Sequence, residues 1–110
     1  MHREVAGGRK RHHKDLQVCR QVFDALTYAL ADLADPLIDE LVLAEVVPAP
    51  DAARVQVTLL CPAELDREAA VTRLYVFARE LREEVAAELC RRRVPELVFR
   101  IDASALTLEE

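Results

Sequence analysis

The chain has 110 residues, 52% of them apolar and 32% charged, and a formal net charge of −5. That length supports one domain with one modest core and is too short for two. No stretch reaches the ~20 apolar residues of a membrane-spanning helix, so no membrane contact is expected.

Residues 1–14 are basic, with Arg3, Arg9, Lys10, Arg11 and Lys14 against the single acid Glu4, while the remainder is acidic. They lack the apolar stretch of a secretory signal, which predicts a cytoplasmic protein with a flexible cationic arm. His12 and His13 stand in that arm without cysteine or carboxylate companions, so no metal site is expected there. Cys19, Cys61 and Cys90 are odd in number, widely spaced and set among apolar residues. They predict reduced core thiols rather than a disulfide framework or a zinc knuckle.

A helix is predicted over 15–34, where Leu16, Cys19, Val22, Phe23, Leu26, Ala29, Leu30 and Leu33 recur at three and four residues. Asp35-Pro36 ends it. The run 41–47 is short, apolar and rich in β-branched residues, and reads as a strand followed by a turn at Pro48, Pro50 and Asp51. A second strand over 54–61 turns Val55, Val57, Leu59 and Cys61 inward and leaves Gln56 and Thr58 facing out.

Asp66 suits the cap of a long helix reaching Arg93, with a stripe of Ala70, Leu74, Phe77 or Ala78, Leu81, Val85 and Leu89. At ~1.5 Å per residue this helix would be about 40 Å long, so a bend between Tyr75 and Arg82 is expected although no Gly or Pro marks it. Pro95 stops the helix. A third strand then alternates Leu97, Phe99 and Ile101 with Val98, Arg100 and Asp102. The whole reads as an arm over 1–14, one domain over 15–103 and a short tail over 104–110. Its expected architecture is an α+β two-layer sandwich, with helices on one face of a three-stranded sheet.

Catalysis finds little material. Ser104 is the only serine, all three histidines lie in the arm, and both glycines, Gly7 and Gly8, precede the first predicted helix. No nucleophile–base constellation or phosphate loop can be assembled, so no catalytic residue, no enzyme and no cofactor are predicted. Cations are more informative. Arg91, Arg92 and Arg93 exceed what a helix C-terminus needs to offset its dipole, and Arg73, Arg79 and Arg82 stud the long helix. Together with Arg9, Lys10, Arg11 and Lys14 they are candidate phosphate contacts for RNA. A plain alternative pairs Arg79 with Glu83 on a solvated face. Aromatic stacking on bases has few candidates, since Phe23, Phe77 and Phe99 fall on apolar stripes and only Tyr28 and Tyr75 are amphipathic.

Arg92, Val94, Pro95, Glu96, Leu97, Phe99 and Asp102 fit the pattern R-x-V-P-E-L-x-F-x-x-D. That pattern resembles the closing signature of the bacterial ribosome-binding factor A family, and Asp35-Pro36 and Arg82 are further points of likeness. The resemblance implies a KH-like (type II) fold in the order α-β-β-α(α)-β. It also implies a monomeric, non-enzymatic factor that binds the small (30S) ribosomal subunit or its precursor through rRNA, with ribosomal proteins as further contacts. Support of late 16S rRNA processing and assembly would be its role. The family's Ala-x-Gly helix kink has no glycine here, its positions being Phe77, Ala78 and Arg79, and the turn after Asp51 is short. A different reading makes the chain a protein-interaction module without RNA binding, which meets a basic partner through Asp24, Asp32 and Asp35 of the acidic first helix.

Overall fold

The computed structural model describes residues 2–50, 53–89 and 94–103, and side chains only from Asp15 onward. Helix α1 (His2–Asp32) buries Val18, Cys19, Val22, Ala25, Leu26 and Ala29 on one stripe. Apolar periodicity begins only near residue 16, which is why the sequence placed the start at 15; the helical backbone runs on to His2. Asp35-Pro36 both stops one helix and starts the next. Ala34 turns the chain at φ 50, and Asp35 then caps a one-turn helix, α2 (Pro36–Asp39), with proline in the first turn as capping preferences favour.

Strands β1 (Val42–Pro48) and β2 (Arg54–Cys61) pair antiparallel, and β3 (Glu96–Ala103) joins β2 in parallel, giving the order β1-β2-β3. Central β2 sends Val55, Val57, Leu59 and Cys61 fully into the core. The register of β1 shifts between Leu43 and Glu45, so Leu43 lies opposite Leu59 and Val46 opposite Val57 on the same core face. A bulge thus explains why β1 reads as a continuous apolar run rather than an alternating one.

The parallel β2–β3 pair requires a crossover, supplied by α3 (Arg67–Val76) and α4 (Ala78–Leu89). Asp66 caps α3 by accepting the Glu68 N–H at 3.0 Å. The expected bend is a clean break at Phe77, whose φ of −101 and ψ of 8 leave the helical region and whose N–H donates to Leu74 O at 3.0 Å. Leu74 on one side of the break and Leu81, Val85 and Leu89 on the other are buried, so the break keeps one apolar stripe on the sheet. Packing therefore replaces the missing glycine. α1 lies against α4 and β1, α3 lies against β3, and among the described residues the sheet's second face carries no helix.

The result is the predicted two-layer KH-like sandwich with an added turn of helix. One residue of the open face departs from expectation. Thr58 is buried, because this short side chain on the central strand sits in register between the longer Glu45 and Arg100. Cys19 and Cys61 are free, buried thiols as expected, and Cys90 lies outside the described residues. Among the described residues no helix is long and apolar enough to cross a membrane.

Ala34 bears a backbone cost of about 1 kcal/mol that glycine would not. Ala34→Gly is expected to raise unfolding free energy by up to about 1 kcal/mol in urea titrations, whereas Ala34→Val, β-branched at positive φ, lowers it.

Candidate nucleic-acid interface

Two residues apart on α3, Arg73 and Tyr75 point to different neighbours, and that divergence divides the candidate site. Arg73 turns toward α2. Its Nε and Nη2 each lie 2.8 Å from Asp35 Oδ2, and its guanidinium stacks over the Phe77 ring at 5.4 Å. Asp35 Oδ1 meanwhile accepts the N–H groups of Leu37 at 2.9 Å and Ile38 at 3.1 Å. A buried carboxylate is thereby fully supplied with donors, as burial requires. Burial works to raise the Asp35 pKa, but the Ile38 N–H, the hydrogen bond and charge of Arg73, and the Leu37 N–H together hold it below the ordinary carboxylate value.

Tyr75 turns the other way, over the outer edge of β3. The Glu96 N–H donates to Ala53 O at 3.0 Å on the β2 side, so by strand alternation the Phe99 N–H points away from β2. Tyr75 Oη accepts that N–H at 3.1 Å, and the two rings meet edge to face with centroids 5.3 Å apart at 78°. Farther toward the start of β3, Arg82 Nη2 lies 3.4 Å from Val94 O. Tyr75 thus borders the outer edge of β3, and Arg82 meets the chain two residues ahead of that strand.

The predicted phosphate contacts separate accordingly. Arg82 and Arg79 are exposed, and among the described residues Arg79 forms no ion pair with Glu83, the pairs being Arg54–Glu96, Arg73–Asp35 and Arg100–Asp102. Arg73 is engaged within the fold, since a buried carboxylate outcompetes solvent for its guanidinium. The same pairing takes Asp35 out of the acidic surface that the interaction-module reading required. Arg91, Arg92 and Arg93 lie outside the described residues, as do the side chains of Arg9, Lys10, Arg11 and Lys14. Sequence reasoning missed the Asp35–Arg73 pair. Asp at an N-cap with Pro next to it was the available signal that Asp35 turns inward.

No protein-family model matches the chain, and no curated protein matches it. Solved structures do. The crystal structure of ribosome-binding factor A from Thermus thermophilus is 24% identical, with a TM-score of 0.69, and the match covers 79% of this chain and 94% of that one. A homology model of the Thermus thermophilus factor, fitted into a cryo-EM map of a 30S complex, is 27% identical with a TM-score of 0.60, covering 82% of this chain and 92% of that one. The fold is that of ribosome-binding factor A.

Within this RbfA-like fold the Asp35–Arg73 pair joins α2 to α3 just ahead of the helix break. Because the folded-state pKa of Asp35 lies below its unfolded value of about 3.9, its charge stabilises the fold above that pH, and the contribution is lost as pH falls through the lowered value. Asp35→Asn keeps the cap and removes the charge. It is expected to be less stable than the parent chain at neutral pH, with the gap closing below about pH 4, as read by urea unfolding at several pH values.

Proposed function

We propose that this chain is a non-enzymatic ribosome-binding factor that associates with the small ribosomal subunit or its precursor in the cytoplasm. In this reading it grips rRNA phosphates along the β3 edge and supports late 16S rRNA maturation. The observation that carries the proposal is the tie between Arg82 and Val94, which holds an exposed α4 guanidinium beside the chain leading into β3, and Arg91, Arg92 and Arg93 immediately precede Val94 in the sequence. Guanidinium groups suit a phosphate backbone, because each can donate two parallel hydrogen bonds to phosphate oxygens. The likeness to a Thermus factor fitted into a 30S complex supports the same partner. Arg79 adds an exposed cation on α4, and residues 1–14 act as an accessory cationic arm.

The acidic helix layer argues for the direction of approach. Asp32, Glu80 and Glu84 line a groove between α1 and α4, a surface that repels phosphate, so RNA meets the β3 side. The same groove supports a second reading, in which Asp32 and the α4 carboxylates, with Asp24 farther back on α1, receive a basic protein segment.

Binding to purified small subunits should weaken steeply with salt, with log K falling linearly in log salt. Replacing Arg91, Arg92 and Arg93 by glutamate is expected to abolish association at moderate salt, and neutral replacements should flatten the slope by roughly 2–3. Association that ignores salt and survives the arginine changes, yet is lost in the Asp24→Lys, Asp32→Lys variant, would establish the second reading instead.

A further inference from the structure

The outer face of α1 carries a row of side chains that is complementary to its own reverse. Leu16, Arg20, Asp24 and Tyr28 follow one another at four-residue spacing, which sets them on one helix ridge about 18 Å long. All four are exposed, Leu16 at 46% and Tyr28 at 74%. Turned end for end against itself, the ridge brings Leu16 opposite Tyr28 and Arg20 opposite Asp24.

The fold makes no use of this row. Among the described residues neither Arg20 nor Asp24 is ion-paired, although their spacing puts them within reach of each other. Two large apolar side chains left in water on one helix face forgo a burial that only a partner can supply. Thr27, beside the ridge, already donates its hydroxyl to Phe23 O at 2.9 Å, so covering it strands no donor. Leu16, Arg20 and Asp24 also form one wall of a shallow groove against β1, which Cys19, Phe23 and Val46 line with apolar surface. A tyrosine ring brought to Leu16 has a seat there.

We propose that this ridge docks a second copy of the chain, the two α1 helices packing antiparallel about a two-fold axis that passes between Arg20 and Asp24. Ridges of residues four apart lie parallel when two helices cross at about 50°, the commonest packing class. The contact is isologous, so Arg20 of each copy meets Asp24 of the other, and each Tyr28 reaches the other's Leu16. It spans about three and a half turns of one helix, near the small end of specific interfaces, and two chains of net charge −5 repel. The dimer is therefore weak, and the dilute protein is a monomer. This surface lies on a different element from the β3 edge and does not depend on RNA binding.

Sedimentation equilibrium of the full chain from roughly 10 μM to 1 mM should show a reversible monomer–dimer equilibrium, the range that suits so small a contact. Arg20→Asp and Asp24→Arg, each checked for folding by circular dichroism, set like charges opposite one another and should weaken self-association at least about tenfold. Tyr28→Ser should weaken it by about tenfold as well. An equimolar mixture of the two charge variants is expected to dimerise again, because one is acidic and the other basic at both positions of the ridge. Both variants remain net negative, so their attraction for each other is local and not a matter of total charge. A parent chain that stays monomeric throughout that range overturns the proposal and leaves the ridge to a different partner. Self-association that ignores either charge variant, or a mixture no more associated than its components, overturns it too.

Discussion

A three-stranded sheet with helices on one face has two strand edges and one helix layer to hide them, and the placement of every functional group follows from that shortage. An uncovered edge exposes a row of backbone donors and acceptors and invites further strands to pair with it. The β1 edge is blunted by its bulge near Ala44 and by Pro48, which has no N–H to offer. The β3 edge has neither device. It is covered in its middle by a side chain from the crossover, Tyr75 at the Phe99 N–H, while Arg82 meets the Val94 carbonyl just ahead of the strand. Edge protection thus brings an aromatic ring to this border of the sheet.

The break at Phe77 makes this possible. A straight helix continuing from α3 would carry its apolar stripe off the end of a sheet only eight residues long. With the break, Leu74 and Leu81 both stay in the core, and Arg82 reaches Val94 ahead of β3 while Tyr75 reaches the middle of the strand. Arg73 contributes from the opposite side. Its bond to Asp35 and its contact with the Phe77 ring hold the break against α2, so a residue expected to meet RNA also has a structural part in fixing the helix break.

Periodicity made most of the fold legible. The stripes of α1, α3 and α4, the alternation in β2 and β3, and the need for a bend were all visible, because burial of apolar side chains leaves a regular trace in the sequence. What the pattern missed was set by other forces. The N-terminal extension of α1 has no apolar stripe to announce it. α2 is only one turn and depends on the Asp35 cap, and Thr58 is buried by the length of its neighbours rather than by its own hydrophobicity. For the site, charge counting found the arginines but could not sort them. Arg73 and Arg82 look alike in sequence, and a carboxylate distant in the chain decides that one is ion-paired while the other meets a backbone carbonyl.

A net charge of −5 on a protein proposed to hold RNA poses an apparent contradiction that geometry removes. Salt limits each exposed charge to a range of about 8 Å at physiological ionic strength. The acids of the helix layer, Asp32, Glu80 and Glu84, gather between α1 and α4, while Arg82 meets the chain just ahead of β3 and the edge of that strand lies beside an acid-free stretch of α3. Phosphate arriving at that edge is governed by the arginines closest to it, and the acids act as a guide that disfavours approach from the helical side. The total charge then sets which way the module faces its partner, and the local charge sets whether it binds.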